Sequence, residues 1–316
     1  MNLKTPGPRK IMLIANPNAG DKTLKAKWNN EIYPFLRDKL KNFEVTFTKK
    51  QGDATRIASE ACHNAYQLIL AMGGDGTLNE VVNGFFKDGQ LINPEAVLGI
   101  LPYGSGGDFV RTLRFDHSYK KAAVHLTTRK TKQIDLGMIE YSNPKYKPRY
   151  FINIAETGLG GAIMKRVNAK NKKIPALARY ITGSFQGFMD YKNCPVRIHL
   201  KPQGTHEVNL TNLIIANGQY FGRGMRPAPQ AKLDDGLFDV VVIKNMSLSK
   251  FVINFPQIYM SKKFVSSNIL DFFQASEIKV EAVDKSHKLL TEVDGENHGE
   301  GNIRIKILPG VLKIKV

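Results

Sequence analysis

Three glycine-rich stretches hold the residues best able to do chemistry: "NPNAG" at 16–20, "MGGDGTLNEVVNGF" at 72–85 and "LPYGSGGDF" at 101–109. Glycine lets backbone N–H groups approach an oxyanion with no side chain in the way. A helix that follows such a turn adds partial positive charge at its N-terminus. Three of these turns side by side would make a shelf for phosphate, with hydroxyl donors from Thr77 and Ser105. Asp75 stands among the glycines, where a bare carboxylate would repel phosphate. A metal ion, or the water around one, is therefore expected beside it. None of the stretches is a complete P-loop or a G-x-G-x-x-G fingerprint. Ser105 is not a G-x-S-x-G nucleophile, because Tyr103 occupies the first glycine's place. The seven histidines show no H-E-x-x-H and do not pair with Cys62 or Cys194, so no zinc pattern is present.

The elements that would position these turns can be read from periodicity. "KIMLIA" (10–15), "EVTFT" (44–48), "QLILAM" (67–72) and "AVLGIL" (96–101) read as strands, three of them continuous apolar runs. Leu24, Trp28, Ile32, Leu36 and Leu40 recur every four residues and mark an amphipathic helix, with Pro34 as a site for a kink. Asp53 can cap a helix running to about 65. "TLNEVVNGFF" opens another, a short one begins near Asp108, and 118–130 looks helical. Strands separated by helices imply parallel pairing, hence a doubly wound α/β domain. Each glycine stretch then falls between a buried strand and a helix, the place where parallel sheets bind ligands.

After about residue 135 the texture changes. "QIDLGMIEY", "RYFINIAE", "VRIHLKP", "EVNLTNLIIAN", "LFDVVVIKN", "SEIKVEAV", "KLLTEVDGE", "NIRIKIL" and "VLKIKV" are β-branched runs bounded by turns. Alternation of the "IRIKIL" kind gives one wet and one buried face. This predicts an antiparallel sandwich or barrel with helical inserts near 159–191 and 247–262. The expected division is an α/β domain over 1–137 and a β-rich domain over 138–316, whose last strands could pack back toward the first.

The composition bounds the function classes. The 316 residues suffice for two domains at roughly 150 each. Hydrophobic content of 42% and charged content of 23% are those of a folded globular chain. No apolar run approaches the roughly 18 residues of a membrane span. The start, "MNLKTPGPRKIMLIANP", carries an apolar run too short for a signal peptide. Two distant cysteines fit packed thiols in a reducing cytoplasm. The net charge of +18 favours anionic partners, such as nucleotide or acidic lipid. With no RNP-like or zinc-finger pattern, nucleic acid is not expected as a partner.

The motifs also carry a resemblance. "GGDGTLNEVVNG" resembles the nucleotide motif of the diacylglycerol kinase catalytic family, which includes bacterial lipid kinases, sphingosine kinases and ceramide kinases. "GGDGT" alone occurs in NAD kinases too. The context separates them: "ANPNAG" resembles the family's N-P-x-(A/S)-G, and "LPYGSGGDFVRTL" its P-x-G-(T/S)-x-N-D-(F/L)-A-R. "AKLDDGLFDVVVI" is similar to its second-domain metal segment and "TEVDGE" to its D-G-E motif. All five occur in the family's order over residues 16–296.

The resemblance implies a phosphofructokinase-like α/β domain and a C-terminal antiparallel β-sandwich, with ATP and lipid meeting in a cleft. It implies ATP-dependent phosphorylation of a membrane lipid, diacylglycerol first, by a cytoplasmic enzyme peripheral to the membrane. Asn16, Pro17, Asn18, Ala19 and Gly20 would wrap the phosphates, and Thr48 would touch nucleotide. Gly73, Gly74, Asp75, Gly76, Thr77, Leu78, Asn79 and Glu80 would form the main nucleotide loop, with Gly104 and Ser105 near the phosphates. Mg²⁺ would be held by Asp235 with the carbonyls of Lys232 and Leu237, and through water by Asp75 and Asp108. Asp294 is favoured as general base, with Glu296 the alternative. A homodimer stays open. The competing readings are an NAD kinase-like soluble enzyme and a catalytically silent nucleotide- or lipid-binding regulator.

Some positions depart from the pattern. Gly107 stands where Asn precedes the Asp, Asp21 stands where a basic residue often follows Gly20, and His298 follows the D-G-E turn. One further segment, 171–191, mixes lysines with Ile174, Leu177, Ile181, Phe185 and Phe188 at helical spacing. It is expected either to dock on anionic lipid or to pack on the sandwich.

Overall fold

Unbroken apolar runs need cover on both faces, and the first-half strands obtain it in a parallel sheet. The computed structural model describes residues 10–20, 22–104, 107–128, 130–169, 176–247, 249–250, 269–284, 287 and 289–316. Strand β1 (Ile11–Ala15) runs parallel between β2 (Glu44–Phe47) and β3 (Leu68–Gly73). A short antiparallel hairpin, β4 (Phe86–Lys87) and β5 (Gln90–Leu91), precedes β6 (Val97–Pro102), which lies parallel on the far side of β3.

Among the described residues, these strands are accompanied by helices α1 (Thr23–Lys27), α2 (Tyr33–Leu40), α3 (Asp53–His63), α4 (Asp75–Asn83), α5 (Asp108–Thr112) and α6 (Tyr119–Thr127). The stripe from Leu24 to Leu40 packs with Ala122 and Leu126 of α6 against Leu13, Leu70 and Leu101 of the sheet. Helices α3 and α4 pack together, α3 against β1 and α4 against β3. The Leu24–Leu40 stripe is continuous, but the helix is not. A π-helical turn at Trp28–Ile32 joins α1 to α2, and Pro34 sits within the first two positions of α2. Proline has no N–H and crowds the carbonyl four residues back, and the wider turn relieves both.

The remaining elements are β7 (Thr131–Tyr141), β8 (Arg149–Phe151), β9 (Ile154–Gly158), α7 (Leu159–Ala169), α8 (Ala176–Asp190), β10 (Cys194–Lys201), β11 (Gly204–Ala216), β12 (Phe238–Lys244), β13 (Leu270–Ala275), β14 (Glu277–Ala282), β15 (Leu290–Val293), β16 (Glu296–Glu300) and β17 (Ile303–Lys315). The chain divides into two compact units, Met1–Ile134 with Gly310–Val316, and Asp135–Pro309.

The second unit is a β-sandwich of antiparallel strands in the order β16-β15-β9-β11-β10-β14-β17, with β12 on β11 and β13 on β12. Strand β11 pairs with β10 over Gly204–Leu210 and with β9 over Asn212–Ala216. Its ladder with β12 shifts register between Leu210 and Asn212. An extra residue there bends a strand, which lets one long strand serve two sets of partners. Inward residues such as Val196, Ile198, Leu213, Phe238, Val240 and Val280 share one core.

Two expectations differ from the structure. Strand β13 was not apparent, because Asp271 and Gln274 interrupt its apolar signal. "NIRIKIL" and "VLKIKV" form one strand, β17, rather than two. Its first part pairs antiparallel with β14 in the second unit, while Ile314 pairs parallel with Leu98 of β6 in the first. The insert expected near 159–191 is the helix pair α7 and α8. The one expected near 247–262 lies outside the described residues beyond 250. Among the described residues, no helix is long and apolar enough to cross a membrane.

Candidate active site

In the first unit, four parallel strands end in a row. Thr48 follows β2, Asn16 follows β1, Gly73 closes β3, and Tyr103 follows β6. Backbone bonds tie the ends together: Thr48 N–H donates to Ala15 O at 3.0 Å, Asn16 N–H to Met72 O at 3.0 Å, and Tyr103 N–H to Gly73 O at 3.1 Å. The ladder therefore continues one residue beyond each strand and sets the three glycine turns side by side.

Side chains then lock the turns. Asn16 Nδ2 donates to Thr77 Oγ1 at 3.1 Å, and its Oδ1 accepts the Asn18 N–H at 3.0 Å. The hydroxyls of Thr23 and Tyr103 lie 3.1 Å apart, joining the first turn to the third. Asp75 joins the second to the third: its Oδ2 accepts the N–H groups of Gly107 at 2.9 Å and Asp108 at 3.2 Å, and its Oδ1 that of Phe109 at 3.3 Å. These are first-turn donors of α5, which have no partner inside their own helix. The acid among glycines thus has a structural task that its sequence position did not show. Among the described residues no side chain caps α4, whose N-terminal turn starts directly after the end of β3.

Two residues of the predicted loop face elsewhere. The Glu80 carboxylate accepts the N–H groups of Gly52 at 2.9 Å and Ala54 at 3.1 Å, holding the start of α3. The Asn79 side chain is buried and accepts from Asn83 Nδ2 at 3.2 Å. Leu78 is buried, while Pro17, Asn18, Gly74, Gly76 and Gly104 remain at least partly accessible. Ala19 is buried under the first turn. Asp108 is buried and lies 3.6 Å from Arg111 Nε. Ser105 lies outside the described residues.

In the second unit, the β15–β16 hairpin turns at Asp294 and Gly295, both at positive φ, 47° and 89°. Asp294 is only 6% exposed. Its Oδ2 accepts the N–H of Ile152, and its Oδ1 those of Asn153 and Ile154, each at 3.0 Å. Both oxygens are thereby bound to the entry of β9. Glu296, two residues on, is half-buried at the start of β16.

Beneath this turn lies a pair that sequence reasoning missed. Glu156 of β9 and Glu292 of β15 are cross-strand partners, both fully buried and hydrogen-bonded to each other through their carboxyl groups. Burial raises both carboxyls above the usual range, Glu292 well above it, which favours a proton shared between them. Asn212 Nδ2 donates to Glu156 Oε1 at 2.7 Å, and the Gly295 N–H donates to Glu292 Oε1. The available signal was Glu292 at an inward position of "LTEV", directly before the D-G-E turn. The neighbouring His298 stacks on Tyr141 with ring centroids 6.0 Å apart, and burial pushes it down to about 4.

The 232–237 turn also belongs to the second unit. Asp235 is exposed, and its Oδ1 accepts the Leu237 N–H at 3.2 Å. Buried Asp135 fixes the turn: its Oδ2 accepts the Gly236 N–H at 2.7 Å, and its own N–H donates to Leu233 O at 2.6 Å. Among the described residues, no group of three or more His, Cys, Asp or Glu converges as a metal cluster. Any cation here would depend on one or two carboxylates with carbonyl and water oxygens, a set that suits Mg²⁺.

A row of parallel strand ends carrying interlocked glycine turns defines a phosphate-handling α/β protein. Residues 10–139 match the diacylglycerol kinase catalytic domain, and residues 153–316 match the YegS C-terminal NAD kinase beta sandwich-like domain. A diacylglycerol kinase of Staphylococcus epidermidis is 30% identical over 246 residues, 77% of this chain and 72% of that one. A probable YegS-like lipid kinase of Chromohalobacter salexigens is 29% identical over 285 residues, covering 88% and 85%. A crystal structure of a putative diacylglycerol kinase from Bacillus anthracis superposes with a TM-score of 0.74 at 26% identity, covering 98% of both chains. The chain belongs to the diacylglycerol kinase family and is a lipid kinase, a phosphotransferase with an alcohol acceptor.

Proposed function

We propose that this kinase transfers the γ-phosphoryl group of ATP to a hydroxyl of a membrane lipid, with diacylglycerol the first candidate. The observation that supports ATP as donor is the row of strand ends, where Asn16–Thr77, Thr23–Tyr103 and Asp75–Gly107 contacts hold three glycine turns as one surface. Such a surface can hold a polyphosphate with little reorganisation, which is most of what phosphoryl transfer asks of a protein. Diacylglycerol as acceptor is supported by the names of the relatives from Bacillus subtilis and Staphylococcus epidermidis.

Mg²⁺ is assigned to Asp235 with the carbonyl oxygens of Lys232 and Leu237, and to Asp75 and Asp108 through water. Its chemistry would be to neutralise charge on the phosphates. Asp235 fits the role: it is exposed, and its Oδ2 accepts no hydrogen bond from the described residues.

The acceptor hydroxyl must lose a proton as its oxygen attacks phosphorus, and a carboxylate within hydrogen-bond reach can take it. Between the two candidates, accessibility favours Glu296. Asp294 is buried with both oxygens bound to β9, and we assign it to holding the hairpin. The favoured base thus moves from Asp294 to Glu296.

The lipid surface is assigned to α8. Ile181, Phe185 and Met189 are 50%, 49% and 61% exposed and recur every fourth residue along one face. The opposite face is closed, since a Cβ on Gly187 would lie 2.8 Å from Ile163 Cα of α7. Within the described residues of this segment, one face of α8 packs on α7, and we assign the exposed face to lipid. Such a helix rests at a bilayer surface.

The deciding experiment incubates the purified chain with labelled ATP, Mg²⁺ and, as acceptors, a panel of lipid vesicles or NAD, and reads products by mass. Phosphorylated diacylglycerol is expected. Label only in another lipid would change the acceptor, and label only in NAD would remove the lipid reading.

A further inference from the structure

Gly107 and His117 occupy one place. Gly107 has φ +72°, and a Cβ built there would lie 2.8 Å from His117 Nδ1 and 2.9 Å from Cε1. Real Cβ atoms do not approach so closely, so a side chain at 107 would require His117's ring to leave this position. The ring lies on the wall of the crevice lined by Gly73, Gly74, Asp75, Tyr103, Gly104 and Gly107. It is exposed, and no described residue hydrogen-bonds it. Asp116 beside it is occupied with Lys121 Nζ at 2.6 Å and the Ser118 N–H at 3.0 Å, so it does not hold the ring.

We infer that His117 is a nucleotide-binding residue, its imidazole N–H donating to a phosphate oxygen of ATP held on the glycine turns. The inference rests on the assignment of those turns to ATP. It gives Gly107 a reason: the polar group that a 107 side chain could have presented comes instead from residue 117, and glycine is the residue that leaves the ring its space. The backbone N–H of Gly107 is already committed to Asp75, so Gly107 itself does not supply this donor.

The test is equilibrium binding of ATP and Mg²⁺ to the full chain and four variants, with a thermal melt of each. Wild type is expected to bind. His117→Phe keeps a ring over Gly107 but removes the donor, and affinity is expected to fall roughly 10-fold with an unchanged melt. His117→Gln restores an N–H donor and is expected to recover part of the loss. Gly107→Asn alone is expected to lose at least as much as His117→Phe, because its side chain displaces the imidazole; Asn tolerates positive φ better than most residues. Combining Gly107→Asn with His117→Ala is expected to bind better than Gly107→Asn alone. Wild-type-like binding by His117→Phe, or strictly additive losses in the double variant, would overturn the inference while leaving the ATP assignment standing. Failure of the wild type to bind ATP would overturn the ATP assignment, and the inference with it.

Discussion

Two carboxylates separated by one glycine carry different burdens in the β15–β16 turn. Asp294 faces three backbone donors of the β9 entry, and Glu296 stands more open. Glu296→Gln is therefore expected to keep the melt and ATP affinity and to lower kcat by roughly 10²–10⁴-fold, the worth of a general base. Asp294→Asn should act first on stability. Its amide presents one acceptor and one donor to three N–H groups, so a melting temperature several degrees lower is expected, with activity following the folded fraction. Loss of turnover in Asp294→Asn at an unchanged melt would return Asp294 to the role of base. The Glu156–Glu292 pair makes a separate demand on pH. Burial, and the Glu156 carboxyl beside it, hold Glu292 well above the usual carboxylate range. Its contribution to stability is fully present at pH values below the titration of an exposed glutamate, and it is lost as pH rises through the raised folded-state value. Glu292→Gln keeps an acceptor for Gly295 and a donor for Glu156 without needing a proton. Its melting temperature relative to wild type is expected to climb as pH rises above the range in which an exposed glutamate titrates. A difference constant with pH would show that the pair carries no shared proton.

At the scale of elements, the sequence was legible wherever one period dominated. The runs 10–15, 67–72 and 96–101 read as buried strands because both their faces are covered, and the Leu24–Leu40 stripe read as helix because its apolar face is continuous. The π-turn inside that stripe was not legible beyond the kink expected at Pro34, since π and α turns share nearly the same apolar spacing. The glycine turns were legible as a group. What Asp75 and Glu80 do there was not, because their partners at 107–109 and at 52 and 54 are distant in sequence and are backbone groups, which carry no residue signature. Helix α8 stands between these cases. Its apolar positions were visible, yet only packing distinguishes the inward Gly183 and Gly187 from the outward Ile181, Phe185 and Met189. Burying the exposed half of two such side chains in a lipid surface gains about 1 kcal/mol each. Ile181→Ser combined with Phe185→Ser should thus weaken flotation on anionic vesicles on the order of 10-fold, with melt and ATP affinity unchanged. Equal flotation would assign lipid docking to another surface.

At the scale of the whole molecule, the chain passes between its two compact units twice, at 134–135 and at 309–310, and the second passage matters for stability. Periodicity alone could not place the last residues, because "VLKIKV" alternates like any half-exposed strand while its pairing depends on β6, far earlier in the chain. In the first unit, Leu312 and Ile314 are 1% and 0% exposed, and Ile314 pairs with Leu98. Lys313 lies 3.4 Å from Glu95 Oε2, the Lys315 ammonium donates to Thr128 O, and Thr128 Oγ1 donates to Val316 O at 3.4 Å. Two buried aliphatic side chains are worth about 1.5–3 kcal/mol each, before any ladder bonds are counted. A domain has only about 5–15 kcal/mol in hand. Deleting Gly310–Val316 therefore removes a large fraction of the first unit's stability, although every residue assigned to ATP, Mg²⁺ and proton transfer is still present. The truncated chain is expected to melt well below the full chain and to lose ATP affinity in proportion to unfolding. Leu312→Ala should show a milder form of the same loss, about 2–5 kcal/mol as for other buried leucines. ATP affinity that survives the deletion, with an unchanged melt, would mean that the first unit holds its sheet without the C-terminal strand.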